Sequence, residues 1–186
     1  MNIHILAHPK KEKEMLDIAI KYEEELKYLF RNLWFQDKYK YYNYSTYFSD
    51  FEIDKDSWNR HQFVSLDKED SIIGCICYDI DRETNSAKNL NIVNFTDNAK
   101  IFGIDLKRTI IDIFEKFKFN KLMFTVVIGN PVEGSYDKLV NTYGGRIVGV
   151  YKDEARLFDG SLCDVKLYEI TKDEYNAAKA ERIRSF

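Results

Sequence analysis

The stretch that most constrains the fold is residues 90–128, where strand, turn, helix and strand patterns follow one another. In residues 90–95 apolar and polar side chains alternate before a short apolar run, which is typical of a strand. Residues 105–117 carry apolar side chains at spacings of three and four, which is typical of a helix. Residues 121–128, KLMFTVVI, predict a second strand. A strand, a crossover helix and a strand in this order predict a right-handed unit whose two strands are parallel.

The turn between the first strand and the helix is a candidate anion site. Thr96, Asp97 and Asn98 end the strand pattern, and Gly103 precedes the predicted helix. A helix N-terminus has unpaired backbone N–H groups and the positive end of the helix dipole, which together favour a bound phosphate.

The remaining patterns place further elements on both sides of this unit. Strands are predicted at residues 2–7, 61–66, 72–80, 146–152 and 163–170, and helices at residues 11–33, 132–142 and in the tail from residue 171. Residues 36–56 show no clear period and predict a loop with at most a short helix. The strands at 61–66, 72–80 and 90–95 predict an antiparallel meander.

Length and composition predict a single globular domain over residues 1–186. Hydrophobic residues make up 45% and charged residues 32% of the chain, and no apolar run is long enough to span a bilayer. The N-terminus shows no secretory pattern, so we expect a cytoplasmic protein that does not bind membranes. The net charge of −3 argues against nucleic acid as the main partner.

Neither the histidines nor the cysteines predict a metal site. His4, His8 and His61 lack metal-ligand spacing, and Cys75 and Cys77 predict two buried thiols on one face of a strand.

An aromatic segment between residues 22 and 51 allows two interpretations. It is a core edge or a hydrophobic acceptor pocket, or else a surface on which bases stack beside Lys38 and Lys40. Its aromatic residues include Trp34, Phe35, Tyr39, Tyr41, Tyr42, Tyr44, Tyr47 and Phe48. The many acidic neighbours favour the first interpretation.

Three local sequences resemble the GNAT family, the GCN5-related N-acetyltransferases. KIFGID at residues 100–105 is similar to the family's pyrophosphate loop, Arg/Gln-x-x-Gly-x-Gly/Ala, with Lys100 at the basic position, Gly103 matched and Asp105 at the position of a small residue. SIIGCICY resembles the family's third strand. VVIGNPVEGSYDKLVNTYGGRIVG resembles the region in which a strand leads through Asn130 into a helix that ends at Gly144, although Gly145 replaces the usual Phe.

The resemblance implies an α+β fold of the α/β/α type. The sheet would be mixed, mostly antiparallel and twisted, with about six to seven strands, helices on both faces and a splay between the fourth and fifth strands, at 90–95 and 121–128. The splay would admit the pantetheine arm of acetyl-CoA or another acyl-CoA. The implied cofactor-binding residues are Asn94, Phe95, Thr96, Lys100, Ile101, Phe102, Gly103, Ile104, Asp105, Asn130 and Tyr136. Asp105 is expected near the helix start, where it would oppose a phosphate or cap the helix.

The same resemblance suggests catalytic candidates. The family often uses a Tyr four residues before the helix-ending Gly to protonate the leaving thiolate, and this count falls on Val140. Tyr136, one turn earlier on the same face, is the first candidate for the acid, and Tyr143 is the second. Glu133 is a candidate base by position only.

Asp79 and Asp81 after the third strand are further candidate bases by position. A water chain could replace any of these carboxylates. Tyr168 and the region around Trp34 are expected to shape the acceptor pocket.

The implied function is an acyl-CoA-dependent N-acyltransferase, most simply one that transfers acetyl from acetyl-CoA to a primary amine of a small molecule or protein, as a monomer or homodimer. One alternative is a GNAT-fold protein that binds acyl-CoA or a protein partner without turnover. Another is a nucleic-acid or assembly accessory protein that uses the aromatic segment.

Overall fold

The computed structural model describes residues 16–33, 36–41, 51–96, 99–157 and 159–184. The strands are β1 Leu16–Ile18, β2 Arg60–Leu66, β3 Ile72–Asp81, β4 Ser86–Asn94, β5 Lys121–Val127, β6 Arg146–Arg156 and β7 Leu162–Thr171. The α-helices are α1 Glu23–Leu33, α2 Ala99–Glu115, α3 Glu133–Thr142 and α4 Lys172–Arg184, and short 3-10 turns lie at Ala19–Tyr22 and Asp37–Tyr39. The predicted strand at residues 2–7 lies outside the described residues.

All seven strands form one sheet in the order β1-β2-β3-β4-β5-β7-β6. The predicted meander of β2, β3 and β4 is antiparallel, and β4 pairs with β5 in parallel. β7 lies antiparallel between β5 and β6. The expected mostly antiparallel sheet of six to seven strands is therefore confirmed.

Helices cover both faces of the sheet. The α2, α3 and α4 helices enclose the main core, in which Phe114 stacks on Tyr175 with ring centroids 4.5 Å apart. On the opposite face, Leu26 of α1 packs with Val64 and Cys75. Among the described helices, none has the length and apolar composition needed to cross a membrane.

The helix predicted at residues 11–33 is shorter than expected. Leu16, Asp17 and Ile18 pair with β2 as the edge strand β1, and α1 begins only at Glu23. The Asp17 carboxylate accepts a hydrogen bond from the N–H of Ile18 at 2.7 Å. Such a local side-chain bond competes with helical bonding, and pairing with a distant strand decides the outcome.

The hairpin and the helix end that close the fold match their predictions. The α3 helix ends at Thr142, and Gly144 follows the capping residue Tyr143 with a φ of +80°, the left-handed conformation that glycine adopts readily. Gly160 lies in the turn between β6 and β7 with a φ of +85°.

Candidate functional site

The β4 and β5 strands separate almost as soon as they meet. Their only pairs are Ser86 with Lys121 and Ala87 with Leu122. From there β5 remains paired with β7 over residues 121–127, whereas no strand of the described residues lies on the side of β4 that faces β5. The exposed backbone edges can bond an extended ligand as an added strand.

The separation opens a cleft of about 730 Å³ that reaches both faces of the sheet. Elements β4, β5, α2, α3 and the segment around the 3-10 turn at Asp37–Tyr39 form its walls. The lining residues are Lys38, Tyr39, Tyr41, Asn89, Leu90, Asn91, Ile92, Val93, Asn94, Thr96, Phe102, Gly103, Leu106, Thr125, Val126, Val127, Asn130, Val132, Ser135 and Tyr136.

The α2 helix begins six residues earlier than the sequence pattern predicts, at Ala99 instead of Asp105. KIFGID therefore forms the first two turns of the helix and is not a loop. The first turn of α2 is therefore residues 99–102. The positive end of the helix dipole lies beside the end of β4.

Gly103 and Phe102 form the α2 wall of the cleft. A Cβ built on Gly103 would meet no atom within 4 Å, so the backbone there is open to a ligand. Phe102 is 6% exposed and packs against Gly74 of β3, where a Cβ would overlap its ring and lie 2.7 Å from the carbonyl oxygen of Val93. Gly74 thus permits the start of α2 to lie close on the sheet.

Asp105 neither caps the helix nor lines the cleft. It lies in the second turn of α2, is 6% exposed, and accepts a short hydrogen bond from the hydroxyl of Ser65 in β2. Burial raises the pKa of its carboxyl group, and the Ser65 hydrogen bond opposes that rise. The expectation that Asp105 lies at the helix start was wrong, because the start of α2 is set by the burial of Phe102.

Tyr136 lies on α3 and lines the cleft. Its ring packs edge-on against Phe124 of β5, with centroids 5.6 Å apart. No hydrogen bond joins its hydroxyl to another residue in the described part of the chain. Burial raises the pKa of Tyr136, so its hydroxyl is protonated at neutral pH and can donate.

Asn130 also lines the cleft and shapes the start of α3. Its side-chain oxygen accepts the N–H of Val132 at 3.1 Å, and its carbonyl accepts the N–H of Glu133 at 2.9 Å. These bonds satisfy N–H groups at the start of α3. Asn130 therefore helps to orient the helix that carries Tyr136.

Glu133 belongs to an ion-pair cluster that attaches α3 to β7. It forms a short ion pair with Lys166 and accepts the N–H of Gly129 at 3.1 Å. The Lys166 ammonium also lies 3.2 Å from Asp137, which accepts the hydroxyl of Tyr168 at 2.7 Å. The Lys166 hydrogen bond, followed by the Gly129 N–H, lowers the pKa of Glu133, which favours a bound ion pair over a base.

The other catalytic candidates do not line the cleft. Tyr143 is 6% exposed and stacks on Tyr175 with centroids 5.9 Å apart. Asp79 bonds Arg60 at 2.7 Å, and Asp81 bonds Lys88 at 2.6 Å.

Of the predicted cofactor-binding residues, six line the cleft and five do not. The six are Asn94, Thr96, Phe102, Gly103, Asn130 and Tyr136. The others are Asp105; Phe95, which packs on Phe30; Ile101, at the edge of the main core; Lys100, which is exposed in the first turn of α2; and Ile104, which is 59% exposed.

Tyr168 does not shape the cleft. It is fully buried, and its ring stacks on Phe124 with centroids 5.0 Å apart. Trp34 lies outside the described residues.

Searches by sequence find no matching family model and no matching curated protein. Solved structures do match. A "Probable acetyltransferase" has a TM-score of 0.64 at 17% identity, covering 88% of this chain and 97% of that one. A chimera of the spermidine N-acetyltransferase SpeG from Vibrio cholerae and hSSAT has a TM-score of 0.56 at 20% identity, covering 66% and 75%.

A third match is the spermidine/spermine N-acetyltransferase SpeG from Vibrio cholerae in complex with manganese ions. Its TM-score is 0.55 at 20% identity, covering 66% of this chain and 71% of that one. The chain has the GNAT fold. In this fold the separation of β4 and β5 is the splay that the sequence resemblance implies, and the expected fold class is confirmed.

Several cleft residues of this GNAT fold were not singled out in the sequence. Thr125 of β5 and Asn91 of β4 line the cleft. Each is a polar residue within a predicted strand, and this pattern could have identified them as candidate site residues. Ser135 had no comparable signal. Among the described residues, no group of three or more His, Cys, Asp and Glu side chains could hold a metal ion.

Proposed function

We propose that the protein is an acyl-CoA-dependent N-acyltransferase that transfers acetyl from acetyl-CoA to a primary amine. The observation that carries this proposal is the cleft between β4 and β5, which adjoins the start of α2 and is lined by Tyr136. The fold of the acetyltransferases that resemble this chain supports the same reaction class.

The residues of the cleft fit an acyl-CoA. The open edge of β4 can bond the amides of a pantetheine arm, and the positive end of the α2 dipole favours the diphosphate. The open space at Gly103 lets a ligand approach the helix backbone closely. Acetyl-CoA supplies the acetyl group as a thioester.

Transfer joins the amine nitrogen to the acetyl carbon as the carbon–sulfur bond breaks. The nitrogen loses a proton to water, and the sulfur gains one. The Tyr136 hydroxyl is the donor for the sulfur and is reprotonated from solvent, because burial keeps it protonated before the step.

A second candidate is an acyl-CoA-binding protein without turnover. No carboxylate or histidine is present among the described residues that line the cleft, so the side chains that most often act as the general base are missing from them. This observation favours the second candidate, whereas a water chain to solvent would supply the base for the first.

Two measurements separate these functions. Acetyl-CoA at about a hundred times its dissociation constant should stabilise the protein by roughly 2.7 kcal/mol, and no thermal shift would contradict both candidates. Release of the CoA thiol is then followed with a panel of primary amines. Amine-dependent release supports the enzyme, whereas binding without release supports the binding protein.

A further inference from the structure

Three polar side chains form a hydrogen-bonded chain that leads from β2 to the cleft. Arg60 of β2 and Asp79 of β3 are paired in the sheet, and the Arg60 Nε donates to the Asp79 carboxylate at 2.7 Å. The second oxygen of that carboxylate accepts a hydrogen bond from the side-chain amide of Asn89 in β4 at 2.9 Å. Asn89 lines the cleft. Because its nitrogen is bonded to Asp79, its amide oxygen lies at the end of the group that is turned away from Asp79.

The β4 strand is irregular at Asn89. Cys77 of β3 pairs with Asn91 of β4. Two residues later Asp79 pairs with Lys88, so β4 has one more residue than β3 between these pairs. The φ of Asn89 is +53°, a left-handed conformation that asparagine adopts more often than most residues. Such a bulge redirects a side chain, and here the Asn89 amide reaches Asp79.

The Asn89 amide is held on the face of the sheet opposite α2. Cys75 packs with Leu26 of α1 on that face. Cys77 and Asp79 follow Cys75 at intervals of two in β3, so their side chains lie on the same face. The hydrogen bond to Asp79 therefore fixes the Asn89 amide on the α1 side of the sheet.

The length of the cofactor places its thioester beside Asn89, and this step rests on the proposed function. The arm between the diphosphate and the sulfur has about as many chain bonds as four residues of peptide, or roughly 14 Å when extended. The strand from Leu90 to Asn94 spans roughly 13 Å. An arm that starts beside Asn94 and follows β4 thus brings its sulfur level with Leu90 and Asn89, close to the point where β4 and β5 separate.

We infer that the side-chain oxygen of Asn89 accepts an N–H of the attacking amine and thereby aims the nitrogen lone pair at the acetyl carbon. Because α2 places the diphosphate on its own face of the sheet, the amine approaches from the other face, where Asp79 holds the Asn89 amide. Asn89 takes no proton, and the proton that the nitrogen loses goes to water. Asp79 is a positioning residue, because its bond to the amide nitrogen turns the oxygen towards the amine.

The test uses two CoA derivatives that require neither turnover nor knowledge of the natural acceptor. In both, the CoA sulfur carries a CH2 group followed by a carbonyl group. The carbonyl continues as an N-methyl amide in one derivative and as a methyl ester in the other, so the ester lacks the N–H. Calorimetry with the wild type should show that the amide binds roughly fivefold or more tightly, because the ester leaves the Asn89 oxygen without a donor.

Asn89→Gly should abolish the difference in affinity between the two derivatives. Glycine adopts a positive φ without strain, so this change removes the amide and preserves the backbone. Asn85→Gly is the matched control. Asn85 has a φ of +50°, its amide nitrogen donates to the carbonyl of Lys118 at 3.1 Å, and it does not line the cleft. The control should keep the wild-type difference.

Asp79→Asn tests the positioning role. An amide in place of the Asp79 carboxylate has one oxygen for two donors, Arg60 and Asn89, so the Asn89 amide loses its fixed orientation. The difference between the derivatives should shrink. Adding Asp79→Asn to Asn89→Gly should have no further effect on that difference, whereas a merely structural role would make the two changes additive.

The outcomes separate this inference from the proposed function. If neither acetyl-CoA nor the two derivatives bind, both are overturned. If all three bind and the wild type does not distinguish amide from ester, the inference alone is overturned. A difference that survives in Asn89→Gly, or one that is lost in Asn85→Gly, overturns it as well. An unchanged difference in Asp79→Asn overturns the role of Asp79.

Discussion

The ring of Phe102 in α2 occupies the position that a side chain on Gly74 of β3 would need. Gly74→Ala should therefore force the start of α2 away from the sheet. We expect the free energy of unfolding to fall by about 1–3 kcal/mol, as is typical of overpacking, and the affinity for acetyl-CoA to fall with it. Urea unfolding and calorimetry measure the two effects.

Gly149→Ala is the matched control for this change. A Cβ on Gly149 of β6 meets no atom within 4 Å, so stability should change by less than about 0.5 kcal/mol. Unaltered stability and acetyl-CoA affinity in Gly74→Ala would show that the Phe102 contact does not position α2.

Gly103 offers a way to block the cleft without disturbing the fold. Glutamate is a better helix former than glycine, and the Cβ position is open, so Gly103→Glu should fold at least as stably as the wild type. Its carboxylate would face the bound diphosphate, and acetyl-CoA affinity should fall by roughly tenfold or more. Calorimetry at low and high salt measures the loss.

Gly103→Gln separates size from charge, because it adds a side chain of nearly the same length without the carboxylate. Gly149→Glu adds the same charge at an exposed site outside the cleft and should keep wild-type affinity. Full affinity in Gly103→Glu would argue that the diphosphate does not bind at α2.

Tyr136→Phe tests the proposed acid. Loss of the hydroxyl should lower kcat by about a hundredfold with acetyl-CoA affinity unchanged, since only the proton donor is removed. Tyr143→Phe is the control, because Tyr143 is buried against Tyr175 and does not line the cleft. Similar kcat values for both variants would exclude Tyr136 as the acid.

The pH profile gives an independent check on Tyr136. Burial raises its pKa, so the hydroxyl stays protonated above the usual tyrosine pKa of about 10. The wild-type kcat should therefore show no fall from tyrosine ionisation between pH 7 and about 10. A basic limb in that range that disappears in Tyr136→Phe would contradict the assignment of a raised pKa.

Asp105 makes stability depend on pH. Burial raises its folded-state pKa above the ordinary aspartate value of 3.8, so the native state binds the proton more tightly than the unfolded state. Its contribution to stability is therefore present at pH below that value and is lost as pH rises through the folded-state pKa.

Asp105→Asn should remove this loss, because the amide oxygen can still accept the Ser65 hydroxyl. The variant should be more stable than the wild type at pH 7, and the difference should shrink towards pH 3.8. Urea unfolding of both proteins at pH 7 and at pH 3.8 measures this difference in stability. If Asp105→Asn is less stable than the wild type at pH 7, hydrogen bonding fully offsets the cost of burying the ionised carboxylate.

Local patterns predicted those parts of the fold that depend on local chemistry. The alternation in β2, β3 and β4, the helical spacing in α3 and the glycine at its end identified these elements correctly. Tertiary contacts decided the rest. Leu16 joins a sheet edge by pairing with Ser65, and α2 extends back through Gly103 because Phe102 is buried on Gly74.

The candidate site was only partly predictable for the same reason. Asn130 and Tyr136 were placed from a chain segment with a recognisable order of strand, turn and helix. Lys38 reaches the cleft through the hydrogen bond from Tyr39 to Asn94, which joins residues far apart in the chain. No local pattern encodes such a contact.

Backbone pairing joins strands β1–β4 to strands β5–β7 at two residue pairs, Ser86 with Lys121 and Ala87 with Leu122. An extended molecule that bonds to both β4 and β5 would continue this backbone network across the gap. Beyond Ala87 and Leu122 the two parts of the sheet are held together by the side chains of one shared core, so such a ligand would add hydrogen bonds where the protein itself relies on packing.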